Sequence, residues 1–371
     1  MMLSLADSQI TERTSMPVQK RVIVVGAGII GASIAWHLAR QGAAVTVVAE
    51  NNAGIATPAS FAWINASWGN PEFYFRFRRY AMEGWKRLAD ELPGLGVDWC
   101  GAICWDMPRE ELEAYADQHN RWGYGIKRIN RDGVAAREPH LARPPEFALH
   151  VIEEGAVEPV AAAQRMLAGA QSRGASLLYG AHATRLIADN GRITGIATSF
   201  GEMKADHVVL AAGAGTVALA ATADISLPVE TPPGLIVHSK PTEKRLNGIV
   251  LAPDLHMRQT REGRIIAGGD FGGSDPGADQ QATADALFAR AKALLTGVDD
   301  LELDFFTVGY RPTPKDGFPV IGQPDGHDGL YIAVMHSGVT LAPAVGLLAA
   351  KEILSGKPDD KLAPFRLARF G

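Results

Sequence analysis

The first strong pattern in the chain is an unbroken apolar run, Arg21–Val25 (RVIVV), which suits a strand covered on both faces. It leads straight into GAGIIG at 26–31. A helical pattern follows over 32–40, where Ile34, Ala35, Leu38 and Ala39 can share one face. Gly42 ends that pattern, and Ala44–Ala49 reads as a second strand. Strand, turn, helix and strand within about thirty residues form the unit that builds a parallel sheet. Beyond a loop at 51–70, aromatic and aliphatic residues recur at helical spacing over 72–92, with Pro93-Gly94 as the stop.

Residues 97–150 mix short strands with an acidic helix near 110–120. A second α/β stretch follows: a helix over 159–173, then strands at 175–179, 182–189, 192–199 and 207–211. Asn190-Gly191, lying between two apolar runs, signals a hairpin. The segment 229–270 alternates like antiparallel strands, with turns expected at Pro232-Pro233-Gly234 and Glu262-Gly263. A helix over 283–295, a strand over 301–310, the strand Leu330–Val334, a Ser337-Gly338 turn and a helix over 339–354 closed by Gly356 complete the pattern. Nucleotide-fold pieces thus stand at the start, middle and end. The expected fold is α/β, a Rossmann-type domain (21–95, 151–225 and 308–371) interleaved with an antiparallel-sheet α+β substrate domain (96–150 and 226–307). Residues 1–20 read as a flexible tail.

Composition narrows the class. The 371 residues are 47% hydrophobic and 21% charged, enough for two packed cores. A net charge of −5 supplies no basic stripe for nucleic acid. The two cysteines, Cys100 and Cys104, lack the companions of a metal site, and no metal is expected. The polar first twenty residues contain no signal-peptide core, and no run of eighteen apolar residues suggests a membrane span. The expected location is the cytoplasm, and a homo-oligomer is compatible with the sequence.

The chemistry begins at Gly26-x-Gly28-x-x-Gly31. Gly26 permits a tight turn, Gly28 lets backbone approach a pyrophosphate, and Gly31 allows close helix–strand packing. Phosphates then sit at a helix N-terminus, among N–H groups without helical partners. Nineteen positions after Gly31 stands Glu50, an acid placed to accept hydrogen bonds from ribose hydroxyls and to repel the 2′-phosphate of NADP. This motif alone does not separate FAD from NAD.

Three further blocks make that separation: GIATPAS at 54–60, HVVLAAGAG at 207–215, and GYRPTPKDGFPVIG at 309–322 followed by GLYIAVMHSGVTLAP at 329–343. With the fingerprint they span nearly the whole chain, and together they resemble the D-amino acid oxidase family of FAD enzymes, particularly its glycine oxidase and sarcosine oxidase branch. The resemblance implies FAD contacts from Gly26, Ala27, Gly28, Ile29, Ile30 and Gly31, from Glu50 and Asn51, and from Thr57, Ser60 and Phe61. It extends them to Ala183, to Ala212 and Gly213, and to Ser337, Gly338, Val339 and Thr340. Sarcosine oxidases attach FAD to a cysteine near the position of Gly309, so glycine there implies non-covalent FAD.

Arg311, beside Tyr310, resembles the arginine that holds the substrate carboxylate; its alternative is a structural salt bridge to a residue such as Asp316. Two departures bear on the substrate. His336 stands where glycine oxidases carry a second arginine, and His256 where they carry a tyrosine; each histidine either faces the site or sits elsewhere. Arg258 shares a face with His256. In the loop after 60, Trp63, Trp68 and Asn65 either wall the pocket or pack between domains. A helix opening at Gly338 can stabilise the negative charge of a reduced flavin, or can simply close the domain. The resemblance implies oxidation of the C–N bond of a small amino acid or N-substituted glycine by hydride transfer to flavin N5. The resulting imine hydrolyses and dioxygen is reduced to peroxide. A dehydrogenase using another acceptor, a flavin subunit of a larger oxidase, and an NAD enzyme are the alternatives.

Overall fold

The computed structural model describes residues 19–67, 69–269 and 274–371. The expected tail therefore lies almost wholly outside the described residues, and so does Trp68. Eight α-helices are described: α1 (Ile29–Arg40), α2 (Glu72–Glu91), α3 (Arg109–Arg121), α4 (Arg131–Arg137), α5 (Pro159–Gln171), α6 (Thr216–Ala221), α7 (Gln280–Ala293) and α8 (Gly338–Ser355).

The apolar runs at the start, middle and end assemble into one six-stranded sheet. Its order is Val320–Gly322, Leu330–Val334, His207–Leu210, Arg21–Val25, Ala44–Ala49 and Ser176–Tyr179. Every neighbouring pair is parallel except the first, an antiparallel edge pair. Val22, Val24, Val45, Val47, Val208 and Leu210 are all buried, as strands covered on both faces require. An eight-stranded sheet runs Leu303–Tyr310, Pro233–Ser239, Ile265–Gly268, Leu255–Gln259, Ile249–Ala252, Ala102–Cys104, Phe147–Val151 and Ile126–Asn130, with α7 packed against it. All its pairings are antiparallel except Ile249–Ala252 with Ala102–Cys104. Asn190 and Gly191, both at positive φ, close the expected hairpin between Ala183–Asp189 and Arg192–Thr198.

Several boundaries differ from the pattern, each for a local reason. Helix α1 begins at Ile29 because extended Gly28 serves as its N-cap, so three fingerprint residues already belong to the first turn. Helix α7 begins at Gln280 because Asp279 caps it, accepting from Ala282 N at 3.0 Å. Pro232-Pro233-Gly234 is no turn. Pro233 and Gly234 pair with Tyr310 and Gly309, and a proline opening a strand costs no ladder bond.

Helix α8 carries the central packing. It is long and apolar enough to cross a bilayer, with a mean hydropathy of 1.3 over Gly338–Ser355, yet 72% of that stretch is buried as core. Its Pro343 lacks the N–H that would bond Val339 O, and the Trp85 indole of α2 donates to that carbonyl instead, at 3.0 Å. Helices α1 and α8 run parallel in close contact. A Cβ on Gly338 would lie 3.4 Å from Ile30, Ser33 Oγ donates to Ala342 O at 2.7 Å, and a Cβ on Gly346 would lie 2.2 Å from Ser33 Oγ. One added methyl should therefore force the helices apart. Gly346→Ala is expected to lower unfolding stability in urea by about 1–3 kcal/mol, an overpacking cost. An unchanged midpoint would contradict this reading of the contact.

Candidate active site

Three parallel strands, Arg21–Val25, His207–Leu210 and Leu330–Val334, end on the same edge of the sheet. Their following turns, at Gly26, Ala211-Ala212 and Met335-His336, open into one cleft of about 750 Å³. That is where open parallel sheets bind ligands, and the volume lies in the upper part of the range for small-molecule sites.

The phosphate end is built by glycine. Gly26 has φ +112°, and a Cβ there would lie 2.3 Å from Ala211 O. Gly28 lines the cleft at the α1 N-terminus, and Thr57 Oγ1 accepts from Ile29 N at 3.0 Å, fastening the 54–60 loop over the first turn. Gly54, at φ +71°, completes the fit: a Cβ there would come within 3.0 Å of Gly28 Cα. Neither α1 nor α8 is capped by its own N-cap side chain, and neither has an acid in its first turn. Both positive ends therefore face the cleft without a resident anion on their first turns. At the far end Glu50 lines the cleft, and its exposed carboxylate bonds His182 Nδ1.

Of the cofactor contacts expected from sequence, Ala27, Ile29, Ile30, Asn51, Thr57, Ser60, Phe61 and Ala183 line this cleft together with Gly26, Gly28 and Glu50. So do Ala212, Gly213, Ser337, Gly338, Val339 and Thr340. Gly31 does not. A Cβ there would lie 2.0 Å from Gly26 O, so its place is packing beneath the turn rather than contact with a ligand.

Tyr310, Arg311 and His336 come together in the same cleft. Tyr310, 49% exposed, stands at the mouth. The alternative partner for Arg311 is already engaged: Arg369 clamps Asp316 through two hydrogen bonds, of 2.6 and 3.0 Å. His336 Nδ1 lies 2.9 Å from Ser337 Oγ. His256 is a correction. It sits inside the eight-stranded sheet, 3% exposed, with Nε2 3.0 Å from Asp106 Oδ2, and it does not line the cleft. Arg258, on the same strand, is also buried and donates to Phe61 O at 2.7 Å and to Glu158 Oε1 at 3.1 Å. It braces the cleft wall from behind.

Trp63 and Asn65 do line the cleft, but each is anchored behind it. Trp63 Nε1 donates to Glu154 Oε2 at 2.9 Å, and Asn65 Oδ1 accepts from Arg78 Nη2 at 2.6 Å. Arg78 and Glu154 escape a reading of the sequence. Arg78 leaves a signal: it interrupts the apolar stripe of α2 formed by Tyr74, Ala81, Met82, Trp85 and Leu88. Glu154 precedes a short strand with no pattern to mark it.

Glu154 is fully buried, and burial pushes its carboxyl from 4.5 up to about 7, against hydrogen bonds from Ser67, Tyr124 and Trp63 and the charge of Arg78. Because the folded value is raised, the unfolded chain releases this proton first as pH rises. Wild-type stability should therefore fall between about pH 4.5 and 7. Glu154→Gln removes that term, so the variant should gain on wild type across this window by ~2–3 kcal/mol at most. Parallel pH–stability curves would contradict it.

Comparison with known proteins agrees with this geometry. Residues 21–352 match the DAO family, described as FAD dependent oxidoreductase. Glycine oxidase of Pseudomonas putida is 29% identical over 382 residues, covering 93% of this chain and 98% of that protein. An opine oxidase subunit of Rhizobium meliloti is 27% identical, covering 94% of this chain and 96% of its own. The crystal structure of iminodiacetate oxidase from Chelativorans sp. BNC1 superposes with a TM-score of 0.80 at 26% identity, covering 93% and 98%. The chain belongs to the DAO family of FAD-dependent oxidoreductases.

Proposed function

We propose that this protein is an oxidase of a small amino acid or N-substituted glycine, holding its FAD non-covalently. The observation that carries this reading is the convergence, in one cleft, of Arg311 with two helix N-termini that have no acid in their first turns. Residues at the α1 N-terminus, with the 54–60 loop, would hold the pyrophosphate, Glu50 the ribose, and the start of α8 the flavin. Bound FAD would supply the two-electron acceptor for a hydride from the substrate α-carbon, and water would hydrolyse the imine left behind. Gly309 supports a non-covalent cofactor, because a side chain there would meet Ala59 Cβ at 2.8 Å.

The Arg311 guanidinium grips the substrate carboxylate through two parallel hydrogen bonds, which fixes the C–H facing the flavin. His336, on the opposing turn, is a polar contact for the same substrate. Phe61 and Trp63 form an apolar wall that excludes water. The amine reacts when neutral, since a positive nitrogen opposes loss of hydride. No dedicated base is required of the chain if the cleft favours the neutral amine. A carboxylated secondary amine is favoured within the class by the likeness to iminodiacetate oxidase and to the opine oxidase subunit. Dioxygen is the proposed acceptor. The second of those relatives also favours one other reading, a flavin subunit that turns over only with a partner chain.

Anaerobic mixing with glycine, sarcosine, proline enantiomers, D-amino acids and N-carboxymethyl amines tests the proposal. One class should bleach the flavin, and readmitted air should restore the colour with peroxide. A protein that is yellow but bleached by none of them contradicts it. Arg311→Ala should leave the flavin bound and raise KM for carboxylated substrates about 30-fold or more, the cost of removing one partner of a buried charge pair. Unchanged kinetics in a folded, yellow variant would remove the clamp.

A further inference from the structure

Arg78 is a buried cation whose hydrogen bonds go to neutral acceptors. Helix α2 carries it to the cleft wall, where it is 5% exposed. Nε donates to Asn65 O at 3.1 Å, Nη2 to Asn65 Oδ1 at 2.6 Å and Nη1 to Ser337 Oγ at 2.8 Å. The guanidinium also lies 5.6 Å from the centre of the Tyr74 ring. Among the described residues, none of the ion pairs includes Arg78. A buried charge without an ion-pair partner is costly, and an arriving anion would offset that cost.

The surroundings indicate which anion. Ser337, held by Arg78, is the N-cap of α8, and Asn65 N donates to Thr340 Oγ1 in the first turn at 3.3 Å. Arg78, Asn65, Ser337 and Thr340 therefore ring the positive end of α8, which itself touches the positive end of α1 at Ile30. Arg311 comes from elsewhere, immediately after the edge strand Leu303–Tyr310 of the other sheet, and serves the substrate carboxylate.

We propose that Arg78 supplies the counter-charge for the negative charge that a bound flavin acquires on reduction, reinforcing the α8 N-terminus; this rests on the FAD reading above. A cation held in place before the reaction costs no reorganisation when the charge develops. The carboxyl that feels Arg78, Glu154, is committed to Trp63, Tyr124 and Ser67. Burial holds it at about 7, so near neutrality it cancels only part of the charge.

Redox titration of the flavin-loaded protein, together with titration of sulfite, an anion that adds to oxidised flavin, tests this in Arg78→Met, Arg78→Lys and wild type. Arg78→Met should weaken sulfite binding about 10- to 100-fold and lower the two-electron potential by about 30 mV for each tenfold change. Arg78→Lys, keeping the charge, should hold most of both. If Met at this site prevents folding, Arg78→Gln, which keeps a donor to Asn65 without charge, makes the same comparison. A folded, yellow Met or Gln variant with unchanged potential and sulfite affinity overturns the proposal. So does a variant whose only change is a higher KM, since Arg78 would then serve the substrate. Neither titration needs an amine, so a failed substrate reading leaves this test decisive, whereas a wild type that holds no flavin refutes the cofactor reading itself.

Discussion

The parallel contact between α1 and α8 is the constraint on which the rest of the molecule depends. Two helices lying side by side in the same direction place their positive ends together, an arrangement that repels unless an anion sits across both. Small side chains make the approach feasible: Gly338 meets Ile30, Ser33 bonds Ala342 O, and Gly346 seats against Ser33 and His37. Parallel strands preceding both helices fix their direction, so both N-termini open at the same sheet edge. A cleft formed this way selects an elongated, anionic ligand with phosphates at one end and a second developing charge at the other. FAD meets both requirements. An NAD-type site uses the first helix end and has no comparable need for the second.

The wall that carries Arg311 is fixed relative to that cleft by close contacts between the eight-stranded sheet and the loop that follows residue 54. Gly309 sits against the backbone of Ala59 in the phosphate loop, and Arg258 reaches from the eight-stranded sheet to Phe61 O. Arg311 follows Gly309 by two residues, so the reach of its guanidinium is set by a bare backbone contact. The same reasoning explains why Pro233-Gly234 continues a strand. Gly234 pairs with Gly309, and the sheet must stay thin where it meets the loop.

Much of this is legible in the sequence. Elements buried on both faces, such as Arg21–Val25 and Leu330–Val334, announce themselves by unbroken apolar runs, and the fingerprint glycines by their spacing. What is not legible depends on partners distant in the chain. His256 looks free to face the site, but Asp106, 150 positions away, holds it inside the sheet. Asp316, the structural partner that the sequence suggests for Arg311, is taken by Arg369, 53 positions away. Glu154 gives no local sign because its environment is assembled from Trp63, Ser67 and Tyr124 on separate segments. Arg78 leaves a trace, a charge in an apolar stripe, but its meaning emerges only with Ser337 beside it.

The most direct measurement is a crystal structure of the flavin-loaded protein with a carboxylated, unreactive amine analogue bound. Pyrophosphate is expected over the α1 N-terminus, the flavin pyrimidine edge at the start of α8, and the analogue's carboxylate on the Arg311 guanidinium. A flavin seated away from Gly338, or a carboxylate bound elsewhere with Arg311 turned aside, would contradict this arrangement.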